Sequence, residues 1–299
     1  MTPLAHGHHE QVDLVYDTAY LADDLPHFRR LGQTWALAVG LGLARGHAPD
    51  PLPDGLLEQL HDPLYVDAVR RGIAPLCNSA YLPWSPALVR ACEAMLGGQL
   101  SAARIARRSG LCVNLACGFH HAHPQRGGGY CVFNGLALVA LAHPELKVAV
   151  LDCDEHGGDG TEAYCALLPN LRAISVFGTR FGITGGERSL ALRVPRDASG
   201  AAEPAGYLEV LDEALGRLLD DPPDLVLYQA SADTHSADPR ASLKLSTATL
   251  ARRDQCVFAT LRAAAIPVVV TLAGGYQAPG DVAALYLQTL RIAAGAWVR

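Results

Sequence analysis

From Gly110 onward the chain alternates: short apolar runs rich in Val, Ile and Leu are separated by longer stretches with helical spacing. Residues 111–117, Val148–Asp152, 172–177, Leu225–Gln229 and 267–272 read as strands, and 131–141, 160–168, 206–219, 248–264 and 282–294 as helices. Runs this apolar are buried on both faces, and a helix between successive strands is the connection that parallel strands need. The predicted architecture is therefore α/β, with a central, mostly parallel sheet and helices on both faces. Such a sheet sends every strand-to-helix loop out on one side, so the polar residues after each strand are expected to meet in one crevice.

The N-terminal third is less regular. A strand is predicted over 12–16, a loop entering a helix over 23–30, turn chemistry in the HAPDPLPDG stretch at 47–55, and short helices at Leu56–Leu60 and Pro63–Arg71. Residues 85–108 carry Leu88, Val89, Ala91, Cys92 and Leu96 at helical spacing, but Gly97-Gly98 interrupts them, which predicts two helical segments or one kinked helix. No linker, repeat or low-complexity tract divides the chain, and 50% of its 299 residues are hydrophobic, enough for one large core. A single domain over 1–299 is expected, with 1–11 as a flexible N-terminus in which His6, His8 and His9 are a frayed end rather than a metal site.

A net charge of −6 with scattered basic residues argues against a nucleic-acid-binding surface, and no apolar run is long enough to span a membrane. The eight cysteines, at 77, 92, 112, 117, 131, 153, 165 and 256, form no CxxC pair, and the opening MTPLAHGHHEQVDLVYD lacks a basic segment followed by an apolar one. Free thiols in a reducing, cytoplasmic setting are expected.

The chemistry is concentrated in four loops. In KVAVLDCDEHGGDGTE, a buried strand runs into Asp152, Asp154, Glu155, His156 and Asp159, with Gly157, Gly158 and Gly160 expected to let the backbone turn tightly. Asp154 and His156 leave the same face of an extended chain and can grip one ion; oxygen plus imidazole suits zinc, and also manganese or iron. The plain alternative is a surface acidic loop with Asp159 capping a helix. A second loop, 117–130, carries His120, His121 and a Gly127-Gly128-Gly129-Tyr130 wall; a third, 230–239, carries Asp233; a fourth, 272–277, carries Tyr276. Asp154, His156 and Asp233 together make a three-ligand site with an open position, which acidifies water and polarises a carbonyl. His120 and His121 can supply a base and a proton if the loop is irregular enough to aim both inward, Asp152 and Asp159 are the free carboxylates to orient them, and Tyr276 can donate to an oxyanion. Each element alone has a structural explanation: a satisfied histidine pair, a turn capped by Asp233 or Asp238, a half-buried tyrosine on a Gly-Gly turn.

The motifs CGFHHAHPQRGGGYC, LDCDEHGGDGT, ASADTHSADP and LAGGYQ, in that order, resemble those of the histone deacetylase superfamily, zinc-dependent amide hydrolases that share the arginase-like α/β fold. The resemblance runs from about residue 12 to about residue 295. It implies that Asp154, His156 and Asp233 bind zinc, that His121 is the general base and later the acid, and that His120 is a mainly electrostatic second histidine. Asp152 and Asp159 would back the histidines, Tyr276 would polarise the scissile carbonyl, and Gly129 and Tyr130 would line an acyl-lysine tunnel. A potassium ion beside the zinc loop is also implied, at Asp152, Asp154, His156, Ser175 and Val176. RGGGYC, LSTATLARRDQCVF and GGYQ are most similar to the class IV branch and its bacterial relatives, whereas Arg180-Phe181-Gly182-Ile183-Thr184 departs from the class IV loop.

The implied partner is an acyl-lysine peptide or protein, or a small acylated amine. Three other readings stand beside it: an acetylpolyamine amidohydrolase, though no narrowing insertion is evident; a binuclear manganese ureohydrolase, though Gly158 and His235 stand where further carboxylates are expected; and a non-catalytic binder, though Tyr276, His120 and His121 are all present.

Overall fold

The computed structural model describes residues 11–22, 25, 28–182, 184–196 and 203–297. The N-terminal segment expected to be loose, His6, His8 and His9 included, lies outside the described residues apart from Gln11.

Among the described residues eight strands, all parallel, form one sheet: β1 (Val12–Val15), β2 (Ala44–His47), β3 (Leu111–Asn114), β4 (Val148–Asp152), β5 (Leu171–Phe177), β6 (Ser189–Arg193), β7 (Leu225–Gln229) and β8 (Val268–Thr271). Their order is β2-β1-β3-β8-β7-β4-β5-β6. Every residue of β3, β4, β7 and β8 is buried, as their continuous apolar runs require. The helices are α1 (Arg29–Gly40), α2 (Leu56–Leu60), α3 (Pro63–Arg71), α4 (Pro86–Ser109), α5 (Gly135–Ala142), α6 (Asp159–Cys165), α7 (Tyr207–Asp220), α8 (Thr247–Ala263) and α9 (Pro279–Ala296). α4 packs on β1, β3 and β8 and against α5, while α1, α8 and α9 form a second group joined through α9.

The two edge strands, β2 and β6, are absent from the sequence-based expectation. Both are half-exposed, β2 (ARGH) has no apolar run, and β6 (SLALR) alternates Leu190 and Leu192 over too few residues to stand out. His47, expected to open a turn, is instead the last residue of β2 and pairs with Val15.

Of the two outcomes expected at Gly97-Gly98, two helical segments or one kinked helix, the first does not occur: α4 is one helix of 24 residues, from a Ser85 cap that accepts from Leu88 N to Gly110, a left-handed C-cap. The two glycines are there for contact. A Cβ on Gly97 would lie 2.1 Å from the Asp50 carbonyl oxygen, and one on Gly98 would lie 1.7 Å from Tyr20 Oη, which donates to Asn114 Oδ1 at 3.0 Å. The helix expected over 131–141 starts later because Asn134 caps it, Oδ1 accepting from Ala137 N at 2.9 Å. The strand expected over 111–117 stops at Asn114, whose amide donates to Met95 O at 3.1 Å and Gln99 Oε1 at 2.8 Å.

Candidate active site

The four chemistry-bearing loops follow β3, β4, β7 and β8, and these are the four adjacent central strands, ordered β3-β8-β7-β4. Strands in a sheet are ~4.8 Å apart, so the four loops leave the sheet within roughly 15 Å of one another. Register aligns their last residues into a buried polar row, Asn114 beside Thr271, Thr271 beside Gln229, Gln229 beside Asp152, and Asp152 beside Ser175 of β5. An apolar sheet thus ends in a polar floor on the side where the loops gather.

Above this floor Asp154, His156 and Asp233 each offer a ligand atom, all within 4.8 Å of one another. His156 Nδ1 lies 3.2 Å from Asp154 Oδ1 and 3.6 Å from Asp233 Oδ2. Asp154 and His156 do not meet by strand alternation, because the loop bends: His156 N donates to Asp154 Oδ1 at 2.9 Å. Nor do the neighbouring glycines supply left-handed backbone. None of Gly157, Gly158 and Gly160 has positive φ, and they are needed for room, since a Cβ on Gly158 would lie 2.6 Å from Asp152 Oδ2 and one on Gly160 would lie 2.6 Å from Ala122 O. Ser231 Oγ sits 2.6 Å from Asp154 Oδ2 and 2.7 Å from Asp233 Oδ1, and Glu155 N donates to the latter at 3.0 Å.

The outer oxygens are accounted for, but Asp233 Oδ2 is buried without a hydrogen-bond partner. Burial works against charge on His156, yet the two carboxylates raise its pKa to about 11. Two buried carboxylates, one orphaned oxygen and an imidazole turned toward both form a donor set that fits a cation.

His120 and His121 lie on a turn, not a strand, and their rings pack at a tilt of 41° with centroids 3.9 Å apart. Each has its own carboxylate: His120 Nδ1 is 2.7 Å from Asp152 Oδ2, and His121 Nδ1 is 2.6 Å from Asp159 Oδ1. Asp159 is therefore no helix cap, and its other oxygen takes His123 Nε2 at 2.9 Å. Burial pulls both imidazoles down, but for His120 the charges of Asp152 and Asp154 outweigh it and lift the pKa to about 9. For His121 burial prevails, the charge on His120 adds to it, and the pKa falls to about 4. The two imidazoles are thus pushed in opposite directions by their surroundings.

The Cδ2–Nε2 edge of His121 faces Gly129, where a Cβ would lie 2.2 Å from Cδ2 and the backbone has φ of 45°. Phe181 packs on the His121 ring with centroids 4.1 Å apart. Tyr276 and Tyr130 stand with ring centroids 5.7 Å apart. Burial, then the charges of Asp233 and Asp154, raise the Tyr276 pKa well above its ordinary value, so its phenol keeps its proton. A small cavity of about 30 Å³ is lined by His120, Asp154 and Tyr276 together with Arg30, Cys117 and Gly274. Size does not mark this place: a hollow of about 470 Å³ lies at the opposite ends of β4 and β5, without a histidine among its lining residues.

The structure thus brings His120, His121, Asp152, Asp154, His156, Asp159, Asp233, Gly129, Tyr130 and Tyr276 into one place. For the expected potassium residues, it sets Asp152 beside Ser175, whose hydroxyl donates to Glu162 at 3.1 Å, with Val176 next in the strand and buried. Sequence reasoning did not assign Ser231, His123, Phe181 or Arg253. Ser231 had a signal, its spacing of two from Asp233. The fully buried Arg253 had none: from α8 it donates to Ser231 O at 2.7 Å and Asp254 Oδ1 at 2.9 Å, anchoring the Asp233 loop from behind.

A family model described as histone deacetylase domain matches residues 27–292. An uncharacterized protein of Picosynechococcus sp. is 34% identical over 234 residues, covering 75% of this chain and 77% of that protein. Histone deacetylase 2 of Arabidopsis thaliana is 30% identical over 187 residues, 61% of this chain and 48% of that one. Acetylpolyamine amidohydrolase of Burkholderia pseudomallei is 28% identical over 170 residues, 53% of this chain and 49% of that one. The matches thus span about half the length of these two named relatives. A crystal structure of acetylpolyamine aminohydrolase from Burkholderia pseudomallei superposes with a TM-score of 0.76 over 96% of this chain and 98% of that chain at 20% identity, a likeness of fold.

Proposed function

The chain belongs to the histone deacetylase family, and from that membership we propose that it hydrolyses the amide of an acylated lysine side chain, with zinc held by Asp154, His156 and Asp233. One observation carries this: the buried acid and imidazole cluster with an orphaned carboxylate oxygen lies beside two adjacent histidines, each with Nδ1 on its own buried carboxylate. A zinc ion held by these three residues would supply Lewis acidity, which polarises a carbonyl and lowers the pKa of water.

The side chains supply the rest. His121, neutral and with Nδ1 committed to Asp159, takes a proton from the attacking water on Nε2 as the water oxygen bonds to the carbonyl carbon. The protonated Tyr276 phenol donates to the carbonyl oxygen as it becomes anionic. When the carbon–nitrogen bond breaks, the proton on His121 passes to the leaving amine, giving a free amine and a carboxylic acid. His120, held charged by Asp152, stabilises the developing negative charge. Gly129, Tyr130 and Phe181 form an apolar channel for the methylenes of the lysine. A potassium ion at Asp152, Asp154, His156, Ser175 and Val176 belongs to the same proposal, as do a class IV-like affiliation and one domain spanning the chain. All eight cysteines are unpaired, which supports a cytoplasmic location, and among the described residues no helix is long and apolar enough to cross a membrane.

Metal content per chain, together with hydrolysis of an acyl-length series on lysine peptides, tests the reading. One zinc per chain with turnover of at least one acyl-lysine is expected. Two manganese ions per chain would replace it with ureohydrolase-type chemistry, and no turnover of any member of the series would remove it.

A further inference from the structure

Among the described residues one cation stands over the two tyrosines of the site. Arg240 has its guanidinium carbon 5.1 Å from the centroid of the Tyr130 ring and 4.8 Å from that of Tyr276, and its Nη2 donates to Tyr130 Oη at 2.5 Å. Its position is registered to the catalytic end of the wall. The buried Asp238 carboxylate accepts from Arg240 N at 2.9 Å through one oxygen and from Tyr276 N at 2.6 Å through the other. Among the described residues no carboxylate lies within ion-pairing distance of the Arg240 side chain, whose partners are the two rings and one phenol. A substrate group lying just outside the acylated nitrogen's methylene chain, against Tyr130 and Tyr276, would meet this charge.

We propose that Arg240 is a specificity-determining residue that selects acylated amines carrying a carboxylate near the mouth, an acyl-lysine flanked by acidic residues, and rejects those carrying a second cationic amine. The inference rests on the amide-hydrolase reading above and narrows its substrate class. A free polyamine places a protonated nitrogen a few methylenes from its acylated one, next to the guanidinium, where like charges repel. An acidic side chain flanking an acyl-lysine reaches the same place with the opposite sign. The chain's overall charge of −6 attracts cations only at long range, where salt screens it, whereas Arg240 acts at contact. With only Nη2 given to Tyr130 Oη, the remaining donors of the guanidinium fork can take a carboxylate.

The test is equilibrium binding to the metal-loaded protein, read by competition against one labelled acyl-lysine peptide. The competitors are an acyl-lysine peptide with acidic flanks, the same peptide with neutral flanks, and an N-acetylated polyamine, each on wild type, Arg240→Leu and Arg240→Glu. Wild type is expected to rank acidic over neutral over polyamine, Arg240→Leu to flatten the ranking, and Arg240→Glu to invert it by ~10-fold or more, the scale of one close charge pair. Unchanged thermal midpoints in both variants check that the exposed substitution leaves the fold intact. The same ranking in Arg240→Glu as in wild type would overturn the proposal whatever the turnover. Inversion of binding without hydrolysis of any substrate would uphold the charge selection while sinking the amide-hydrolase reading.

Discussion

Replacing Asp159 by Asn separates orientation from shape at the candidate base. Its two oxygens accept from His121 Nδ1 at 2.6 Å and from His123 Nε2 at 2.9 Å. The amide of Asn keeps the outline but offers one acceptor and one donor, so one imidazole must change tautomer or lose its partner. A flipped His121 carries its proton on Nε2 and cannot take another from water. The equivalent exchange in a serine-protease triad costs ~10⁴ in kcat, so a fall of ~10³ to 10⁴ with little change in KM is expected. The same carboxylate stabilises the fold. Burial would raise its pKa, but the hydrogen bonds from His121 and then His123 hold it at about 2, below the ordinary 3.8. A depressed carboxylate contributes stability fully above its unfolded pKa and loses it as pH falls through the folded one. The difference is worth about 2 kcal/mol before screening by the water that still reaches the group, and about 1–2 kcal/mol after it. Denaturant unfolding of metal-stripped wild type and variant should therefore show a gap of that size near neutral pH, narrowing as pH drops from ~4 toward ~2. Turnover within tenfold of wild type, or a gap as wide in acid as at neutrality, would refute the reasoning.

Tyr276→Phe is expected to lower kcat by ~10² to 10³ while metal content per chain stays unchanged, since in the proposed mechanism the phenol donates to the substrate and is no part of the ligand set; an undiminished kcat would take Tyr276 out of the mechanism. Gly98→Ala places a methyl 1.7 Å from Tyr20 Oη and should destabilise by at least ~1–3 kcal/mol in urea titration, with activity per folded molecule retained. Asp254→Ala strips the buried Arg253 of its ion pair and Tyr228 and Thr289 of their acceptor, and about 3–5 kcal/mol should be lost. A loss under 1 kcal/mol would show that Arg253 is neutralised elsewhere.

The sequence by itself determined the central strands and the residues at their ends. β4, β7 and β8 are covered on both faces, and only unbroken runs such as VAVLD, LVLYQ and VVVT survive that environment. The acids and imidazoles after them stood out because polar groups have no place in such runs and must lie in the loops. Edge strands β2 and β6 face solvent on one side, so their composition carried no comparable mark. Gly97-Gly98 looked like a break because local propensity cannot register that Tyr20 and Asp50, far away in sequence, need the space.

What only the tertiary structure decided was adjacency. Strand order puts β3, β8, β7 and β4 side by side, and only then do Asp154 and Asp233 come close enough to serve one cation, do Asp152 and Asp159 each take a different histidine, and does Arg240 come to lie across Tyr130 and Tyr276. Strand order follows from how the helices cover the sheet, a property of the whole folded chain that no local stretch encodes.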